Sequence, residues 1–392
     1  MRICIFARSM RAHKANYPTP FGFLLPTLTD LGCEITVLTT AHPDSVTLRH
    51  QESGADVHYL AGTTPRTIND NYWTESARAF DELSDKCGRF DLVMGRGDTA
   101  WGFLEHSVHA TSVPLITHEG TYPQEIAALE NHATLNQPWL RRPVTYFARR
   151  RRPEQVKTHM RAARVVANSP KLGEALRELY RGKPVRTSVI TYGFSSEPYE
   201  QSYIAYGADA PKRIVTVARL TEKKGVFAMA DVLASMRNKD VIFEAIGPID
   251  NRLKEKVTTY AAKRGVLDRY RIPGPVKNEE LPERLAGASA FALLTTHPEG
   301  VPKSLLEAMA AGLPSVVYRF GGCETLIEHG TTGYIVGRKD IAGAAASLDD
   351  LIDQPVNASQ MGQSARKHLR DNFSPIAIRE KWRALLSEVV DP

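Results

Sequence analysis

Residues 297–314, HPEGVPKSLLEAMAAGLP, form the most informative stretch of the chain. They predict a loop followed by a short helix, because Pro302 suits the first helical position and Gly312 with Pro314 is a typical helix end. An apolar run with the length of a buried strand precedes the loop (Phe291–Thr296), and another follows the helix. The resulting order of strand, loop, helix and strand indicates a parallel α/β sheet.

Two carboxylates flank the start of this predicted helix, Glu299 in the loop and Glu307 inside the helix. The first-turn N–H groups of Lys303, Ser304 and Leu305 are expected to lack intrahelical acceptors, and the helix dipole is positive at that end. Such an end suits a phosphate, and a carboxylate on each side suits hydroxyls. The pattern therefore fits a sugar nucleotide, whose diphosphate lies between a sugar and a ribose.

The letters EG-x-P-x-SLLEAMAAG-x-P resemble the E-x7-E motif of retaining glycosyltransferases with the GT-B fold, the family called GT4. The resemblance implies that Glu299 contacts the donor sugar and that Glu307 contacts the ribose. It also implies that the loop and the first helical turn line the donor site. The residues concerned are Gly300, Val301, Pro302, Ser304 and Leu305.

Length and composition are those of an ordinary globular protein of two or three domains. The chain has 392 residues, of which 42% are hydrophobic and 24% charged. No apolar run approaches the ~20 residues of a membrane-spanning helix. The opening letters MRICIFA already read as a strand, which predicts no signal peptide and a cytoplasmic location. Four cysteines without a C-x-x-C pair argue against a zinc site and a disulfide framework.

Positive charge is concentrated in one block, residues 141–164. The block holds nine lysines and arginines against the single acid Glu154, which gives +8, whereas the whole chain carries +6. Such a block indicates an acidic partner, either anionic lipid at the inner face of a membrane or an acidic soluble acceptor. Both interpretations stay open for the central arginines, Arg149, Arg150, Arg151 and Arg152.

Strands and helices alternate in both halves of the chain, which predicts an α/β fold with two Rossmann-like domains, the GT-B fold. A turn-rich segment around residues 192–211 marks the boundary. We expect residues 1–195 to form the acceptor-side domain and residues 196–374 the donor domain. The resemblance implies that a tail helix within 375–392 crosses back onto the first domain. Ligands bind at the carboxyl ends of strands in such sheets, so we expect the active site in a cleft between facing domains.

The segment Val217–Gly225, VARLTEKKG, resembles the family's G-R-L-x-x-x-K-G motif, with Ala218 in place of the usual glycine. Arg219 and Lys224 match the positions that contact the donor diphosphate. Negative charge builds on the β-phosphate as the sugar leaves, and fixed cations stabilise it. The resemblance further assigns Gly22 to the phosphates, as one glycine where the family usually has two. It assigns the main chain near Gly274 and Val276 to the base.

On the first half, His118 ends a predicted strand in LITHEG, and the resemblance places it near the anomeric carbon of the donor sugar. Its neighbour Glu119 is equally open to an acceptor role. The letters GRGDTA, residues 95–100, fit the dinucleotide pattern G-x-G-x-x-A, but they follow the fourth predicted strand instead of the first. We therefore assign Arg96 and Asp98 to the acceptor side and not to a dinucleotide.

The sequence predicts a retaining transferase that moves a hexose-type sugar from a nucleoside diphosphate sugar to a hydroxyl acceptor. UDP is favoured over GDP by family frequency alone. The acceptor classes are a lipid-linked or cell-envelope glycan and a small-molecule glycoside. We expect no cofactor beyond the donor, no nucleic acid partner and, since no D-x-D motif occurs, no metal. Two alternatives remain, a sugar-nucleotide 2-epimerase of the same fold and a non-catalytic protein that binds nucleotide sugars or a membrane surface.

Overall fold

The computed structural model describes residues 1–10, 21, 24–44, 46–120, 138–202, 212–296 and 300–390, with the backbone alone for 138–142. The chain divides into two compact units. Unit 1 comprises Met1–Gly193 together with Pro375–Pro392, and unit 2 comprises Phe194–Ser374. Two residues assigned to the donor from the sequence, Gly22 and Glu299, lie outside the described residues.

Unit 1 is built on an eight-stranded sheet. Its strands are β1 (Arg2–Ala7), β2 (Glu34–Thr40), β3 (Arg49–Glu52), β4 (Ala55–Leu60), β5 (Leu92–Gly95), β6 (Leu115–Glu119), β7 (Arg164–Ala167) and β8 (Thr187–Val189). They lie in the order β3-β4-β2-β1-β5-β6-β7-β8. All neighbours pair in parallel except the edge pair β3 and β4. The two innermost strands, β1 and β5, are almost entirely apolar because both faces of a parallel sheet are covered.

Helices follow most of these strands. In the described part of unit 1 they are α1 (Leu24–Asp30), α2 (Asp70–Cys87), α3 (Trp101–His106), α4 (Pro138–Arg150), α5 (Pro153–Arg161) and α6 (Pro170–Leu179). Helix α3 has only six residues. It ends at His106 because Ser107 has an extended backbone and its hydroxyl donates to Asp81, on α2.

Unit 2 is built on a six-stranded parallel sheet. Its strands are β9 (Arg213–Val217), β10 (Ile242–Ile246), β11 (Tyr270–Gly274), β12 (Ala290–Leu293), β13 (Ser315–Tyr318) and β14 (Gly333–Val336). Their order is β11-β10-β9-β12-β13-β14, so the first strand of the unit lies beside the fourth. This is the Rossmann order, and its topological switch point falls between β9 and β12.

The helices of unit 2 cover both faces of that sheet. Among the described residues they are α7 (Glu197–Gln201), α8 (Val226–Ser235), α9 (Asn251–Lys263), α10 (Leu281–Leu285), α11 (Lys303–Ala310), α12 (Cys323–Leu326), α13 (Ile341–Asp353) and α14 (Pro355–Phe373). Two separate groups of buried apolar side chains result, one on each face of the sheet.

The last helix, α15 (Pro375–Val390), belongs to unit 1. Its buried side chains, of which Trp382 is the largest, pack with apolar side chains of the strands β1 and β2. The 2% exposure of Trp382 shows that this helix completes the core of unit 1. None of the helices in the described part of the chain is both long and apolar enough to span a membrane.

Candidate active site

The loops after β9 and β10 are tied together at the switch point of unit 2. The N–H of Ala218 donates to the carbonyl of Ile246 at 3.1 Å, and the N–H of Leu220 donates to Pro248 at 2.9 Å. A Cβ at Gly247 would lie 1.9 Å from the carbonyl oxygen of Ala218, so this approach requires glycine. The exposed Arg219 is thereby carried on a loop with a fixed backbone.

A short 3₁₀ turn, Glu222–Lys224, places Lys224 at the carboxyl end of β12. The turn ends at Gly225, which has φ +83°, and a Cβ there would lie 2.4 Å from the carbonyl oxygen of Leu294. The N–H of Thr296 donates to the carbonyl of Lys223 at 2.7 Å. The lysine-bearing turn is therefore held against the strand that leads into α11.

A concave pocket of 610 Å³ opens beside these two loops. Five cations line it: Arg219, Lys223, Lys224, Arg252 and Lys256. Two acids also line it, and one of them, Asp250, caps α9 by accepting the N–H groups of Arg252 and Leu253. Clustered cations in a concavity raise the local concentration of anions. The structure thus brings the two predicted diphosphate ligands, Arg219 and Lys224, into one basic pocket.

The start of α11 differs in detail from its prediction. Pro302 has an extended backbone with ψ 113° and precedes the helix, so it is not the first helical residue. The N–H of Leu305 donates to the carbonyl of Pro302 at 3.1 Å, so the expectation that it lacks an acceptor was wrong. Ser304 lies in the first turn, and the buried Gly300 and half-buried Val301 come just before Pro302.

Glu307 is a buried carboxylate in the middle of α11, only 3% exposed. Its Oε1 forms an ion pair with the Nζ of Lys303, one helical turn earlier. Burial raises the pKa of Glu307, and the charge and hydrogen bond of Lys303 oppose that rise only in part. Glu307 is therefore a buried acid whose side-chain partner is the half-buried Lys303.

The residues predicted to face a base lie at the end of β11 and just after it. Gly274 has φ +93°, and a Cβ there would meet nothing within 4 Å. Its carbonyl accepts the N–H of Gly247 at 3.0 Å, which links this strand end to the switch-point loops. Val276, by contrast, is a half-buried side chain that packs against the apolar group containing α11.

In unit 1, His118 lies at the end of β6 and is buried, with 3% of its surface exposed. Its ring contacts Tyr192 and Trp382, with centroids 5.7 and 6.0 Å away. Burial, and then the charge of Arg96, lower the pKa of His118 to about 4. The imidazole is therefore neutral near pH 7 and can act there as a hydrogen-bonding group and not as a cation.

Arg96 and Asp98 lie in the loop that follows β5. The N–H of Arg96 donates to the Oγ1 of Thr99 at 2.8 Å, and that hydroxyl donates to the carbonyl of Phe6 at 2.8 Å. The loop is thus attached to the carboxyl end of β1, across the switch point of this sheet. Burial raises the pKa of Asp98, although the nearby Arg8 opposes the rise.

Glu119 is buried and engaged within unit 1, at 4% exposure. Its Oε1 accepts the N–H of Gly97 at 2.7 Å and lies 3.0 Å from the Nε2 of His159. The Nδ1 of His159 is 2.7 Å from the hydroxyl of Tyr180. His159 and Tyr180 were not predictable from the sequence as partners of Glu119, because they lie far along the chain from it and no local pattern links the three.

The arginines of the basic block have different surroundings. Arg149 donates from Nη1 to the carbonyl of Leu179 at 2.7 Å and so holds the end of α6. Arg150, Arg151 and Arg152 are exposed, and the guanidinium of Arg150 lies 5.3 Å from the ring of Tyr146. The side chains of Tyr146 and Phe147 are 48% and 62% exposed. An exposed surface of cations and aromatic rings results.

No group of three or more metal-binding side chains occurs in the part of the chain that the structure describes.

Comparison with known sequences matches each half of the chain to a glycosyltransferase family model. The model described as Glycosyltransferase Family 4 matches residues 24–197, and the model described as Glycosyl transferases group 1 matches residues 205–368. The amylovoran biosynthesis glycosyltransferase AmsK of Erwinia amylovora is 33% identical over 178 residues, 43% of each chain. The chain spans about half the length of the curated relatives it matches.

Solved structures extend the likeness to almost the whole chain. Sucrose-phosphate synthase of Thermosynechococcus elongatus matches with a TM-score of 0.75 and 16% identity, over 99% of this chain and 98% of that one. HepE of Anabaena, solved in complex with UDP, matches with a TM-score of 0.71 and 19% identity, over 99% and 100%. Identities this low show the fold alone, and that fold is GT-B. The family models and the fold together support a family-4-like glycosyltransferase with the GT-B fold.

Proposed function

We propose that the chain transfers a hexose-type sugar from a nucleoside diphosphate sugar to a hydroxyl acceptor, with retention of the anomeric configuration. The observation that carries this proposal is the basic pocket of unit 2, which holds Arg219 and Lys224 at the Rossmann switch point. A diphosphate matches its charge, and the switch point is where such sheets bind nucleotides.

In the proposed reaction, the bond between the anomeric carbon and the β-phosphate oxygen breaks, and the acceptor oxygen bonds on the same face. The acceptor proton passes to the departing phosphate oxygen, so no protein nucleophile is required. Arg219 and Lys224 stabilise the charge that develops on the diphosphate, and one such contact is worth ~2.7–4 kcal/mol. Glu307 accepts hydrogen bonds from the ribose, and the neutral His118 donates or accepts one at the sugar.

The donor is tested first, by thermal unfolding of the full chain with a panel of UDP- and GDP-sugars. UDP is favoured by family frequency, and the structural neighbour HepE was solved with UDP. We expect one nucleotide to raise the melting temperature, and Arg219→Ala and Lys224→Ala to abolish that rise. The matched control is Lys254→Ala, an exposed cation on α9 that does not line the pocket. Equal losses in all three variants would contradict the assignment.

The chemistry is tested with a labelled donor, with and without acceptor. Nuclear magnetic resonance of the product should show the anomeric configuration of the donor, and inversion would refute a retaining mechanism. Isomerised nucleotide sugar formed without acceptor would identify an epimerase instead. Glu299→Ala should abolish transfer without unfolding the chain, as the E-x7-E resemblance implies. A chain that binds a nucleotide sugar yet neither transfers nor hydrolyses it is a binding protein.

We further propose that the acceptor is carried by a membrane and that the basic surface docks on anionic lipid. Exposed arginines beside exposed aromatic rings, Arg150, Arg151 and Arg152 with Tyr146 and Phe147, are suited to a charged lipid interface. Each basic residue contributes ~1 kcal/mol, which salt screens. Liposome sedimentation should show binding to anionic vesicles, loss in high salt and loss in the Arg150→Gln, Arg151→Gln, Arg152→Gln variant. Equal binding to neutral vesicles would exclude this docking.

A further inference from the structure

A buried Glu–His–Tyr triad, Glu119, His159 and Tyr180, joins three elements inside unit 1. Glu119 ends β6, His159 lies on α5, and Tyr180 directly follows α6. The carboxylate and the imidazole are 3.0 Å apart, and the imidazole and the phenol are 2.7 Å apart. Their exposed fractions are 4%, 0% and 4%. Neither His159 nor Tyr180 has a role in the proposed reaction.

The carboxylate of the triad is held in its ionised form by its surroundings. Burial alone would raise the pKa of Glu119, but the bond to His159, the charge of Arg96 and the Gly97 N–H hold it below its ordinary value. The carboxylate is therefore ionised and accepts the Nε2–H of His159, while Nδ1 of the same ring is hydrogen-bonded to the Tyr180 hydroxyl. Burial raises the pKa of Tyr180, so the phenol keeps the proton that it donates.

The triad ends on the loop that follows β5. Gly97 has φ +63°, and its N–H donates to the Oε1 of Glu119 at 2.7 Å. The two neighbours of Gly97 are Arg96 and Asp98, the residues assigned to the acceptor side. The carboxylate of Glu119, at the end of β6, therefore holds the backbone between Arg96 and Asp98, just after the neighbouring strand β5.

The triad is a costly way to fill a core. Replacing buried charged groups by apolar side chains of similar volume is often neutral or stabilising, because no desolvation is then required. What an apolar group cannot supply is an acceptor for the Gly97 N–H. The hydrogen bonds of the triad thus serve to select one position for the loop more than to stabilise the fold.

We propose that His159 and Tyr180 are positioning residues, which orient Glu119 so that it holds the Gly97 loop, and with it Arg96 and Asp98, in place for the acceptor. That Arg96 and Asp98 serve the acceptor rests on the proposed function. Glu119 then acts through the backbone of Gly97 and is not the base that deprotonates the acceptor.

Hydrogen exchange of the full chain, followed by mass spectrometry over residues 95–101, tests the proposal. His159→Phe should speed exchange in this segment about tenfold or more, as expected for loss of a hydrogen bond to a charged group. His159→Gln keeps an N–H for Glu119 and should restore protection. Tyr180→Phe removes only the outer bond and should have a smaller effect. The matched control is His109→Phe, whose native ring packs against Phe80.

Two exchange results would overturn the proposal: unchanged protection of 95–101 in His159→Phe, or a loss spread evenly over β1 and β6, which marks a purely structural role. With UDP-glucose and octyl β-D-glucopyranoside as probes, His159→Phe should raise the acceptor KM, by up to about 100-fold, and leave hydrolysis by water unchanged. A wild-type chain that consumes no nucleotide sugar contradicts the proposed function alone, and the exchange result still decides the positioning role.

Discussion

His118 and Glu307 are buried titratable side chains, and in both of them burial favours the neutral form. Glu119 is equally buried but is kept ionised by the donors around its carboxylate. The difference lies in the partners: Glu119 accepts bonds from two donors, whereas Glu307 has one partly exposed lysine. Single residues at the candidate site therefore respond to pH in opposite directions.

His118 should make the protein lose stability in mild acid. Its pKa is about 4 when folded, against 6.5 for an ordinary histidine. Between these values the unfolded chain binds more protons, so the free energy of unfolding falls as the pH drops from 6.5 towards 4. The full effect is on the order of 3 kcal/mol. We expect the urea midpoint of His118→Gln to fall less over this range than that of the wild type, and parallel curves would refute this.

The pKa of Glu307 is shifted in the opposite direction from that of Glu119, so ionised Glu307 should lower the stability of the fold at neutral pH. Its folded pKa is raised, so above the ordinary value of 4.5 the folded chain binds more protons than the unfolded chain. Stability is therefore lost as the pH rises through that window. Glu307→Gln should gain melting temperature relative to the wild type as the pH rises above 4.5, while nucleotide binding weakens. A variant that is less stable at every pH would contradict a cost of burial.

At the scale of elements, glycines with positive φ hold the switch-point loops of unit 2. Gly225 ends the lysine-bearing turn, and the close approach of Leu294 to its Cα leaves no room for a side chain. Gly265, after α9, has a similar φ of +68° but open space around it. The two positions therefore separate backbone strain from steric contact.

Gly225→Ala and Gly265→Ala form a matched pair. Both place a Cβ on a left-handed backbone, which costs roughly 1–2 kcal/mol. Only Gly225→Ala adds the contact with the Leu294 carbonyl, which costs a further 1–3 kcal/mol or so and displaces Lys224. We expect calorimetry to show weaker nucleotide binding in Gly225→Ala and unchanged binding in Gly265→Ala. Equal binding in both would mean that this turn does not hold the donor.

Element ends were predictable wherever local chemistry sets them. The helix expected at 302–311 is found at Lys303–Ala310, and its end follows from Gly312, which has φ +72°. The short strand β3 was missed because its letters, RHQE, are polar and only its pairing with β4 makes it a strand. The hydrogen bond between His159 and Glu119 was likewise not predictable, because it depends on a contact between residues 40 positions apart in the chain.

At the scale of the whole molecule, each unit has apolar cores of its own. The two groups of buried side chains in unit 1 share no member with the two in unit 2. Unit 1 is nevertheless assembled from both ends of the chain, because α15 supplies Trp382 to its core. The alternation of strands and helices predicted two sheets, but this return of the chain followed only from the family resemblance.

Calorimetric unfolding of the full chain should therefore resolve two transitions that respond to different changes. Trp382→Ala removes a buried aromatic ring from unit 1 and should lower that unit's transition alone, by about 3–5 kcal/mol. The control in the same helix is Ile376→Ala, whose side chain is 65% exposed and should have little effect. A bound nucleotide at 100 times its Kd should raise the unit 2 transition alone, by about 2.7 kcal/mol, since the proposed donor residues lie there. If Trp382→Ala and the nucleotide shift the same transition, the two units do not unfold separately. The assignment of the nucleotide to unit 2 is then tested by the effects of Arg219→Ala and Lys224→Ala on binding.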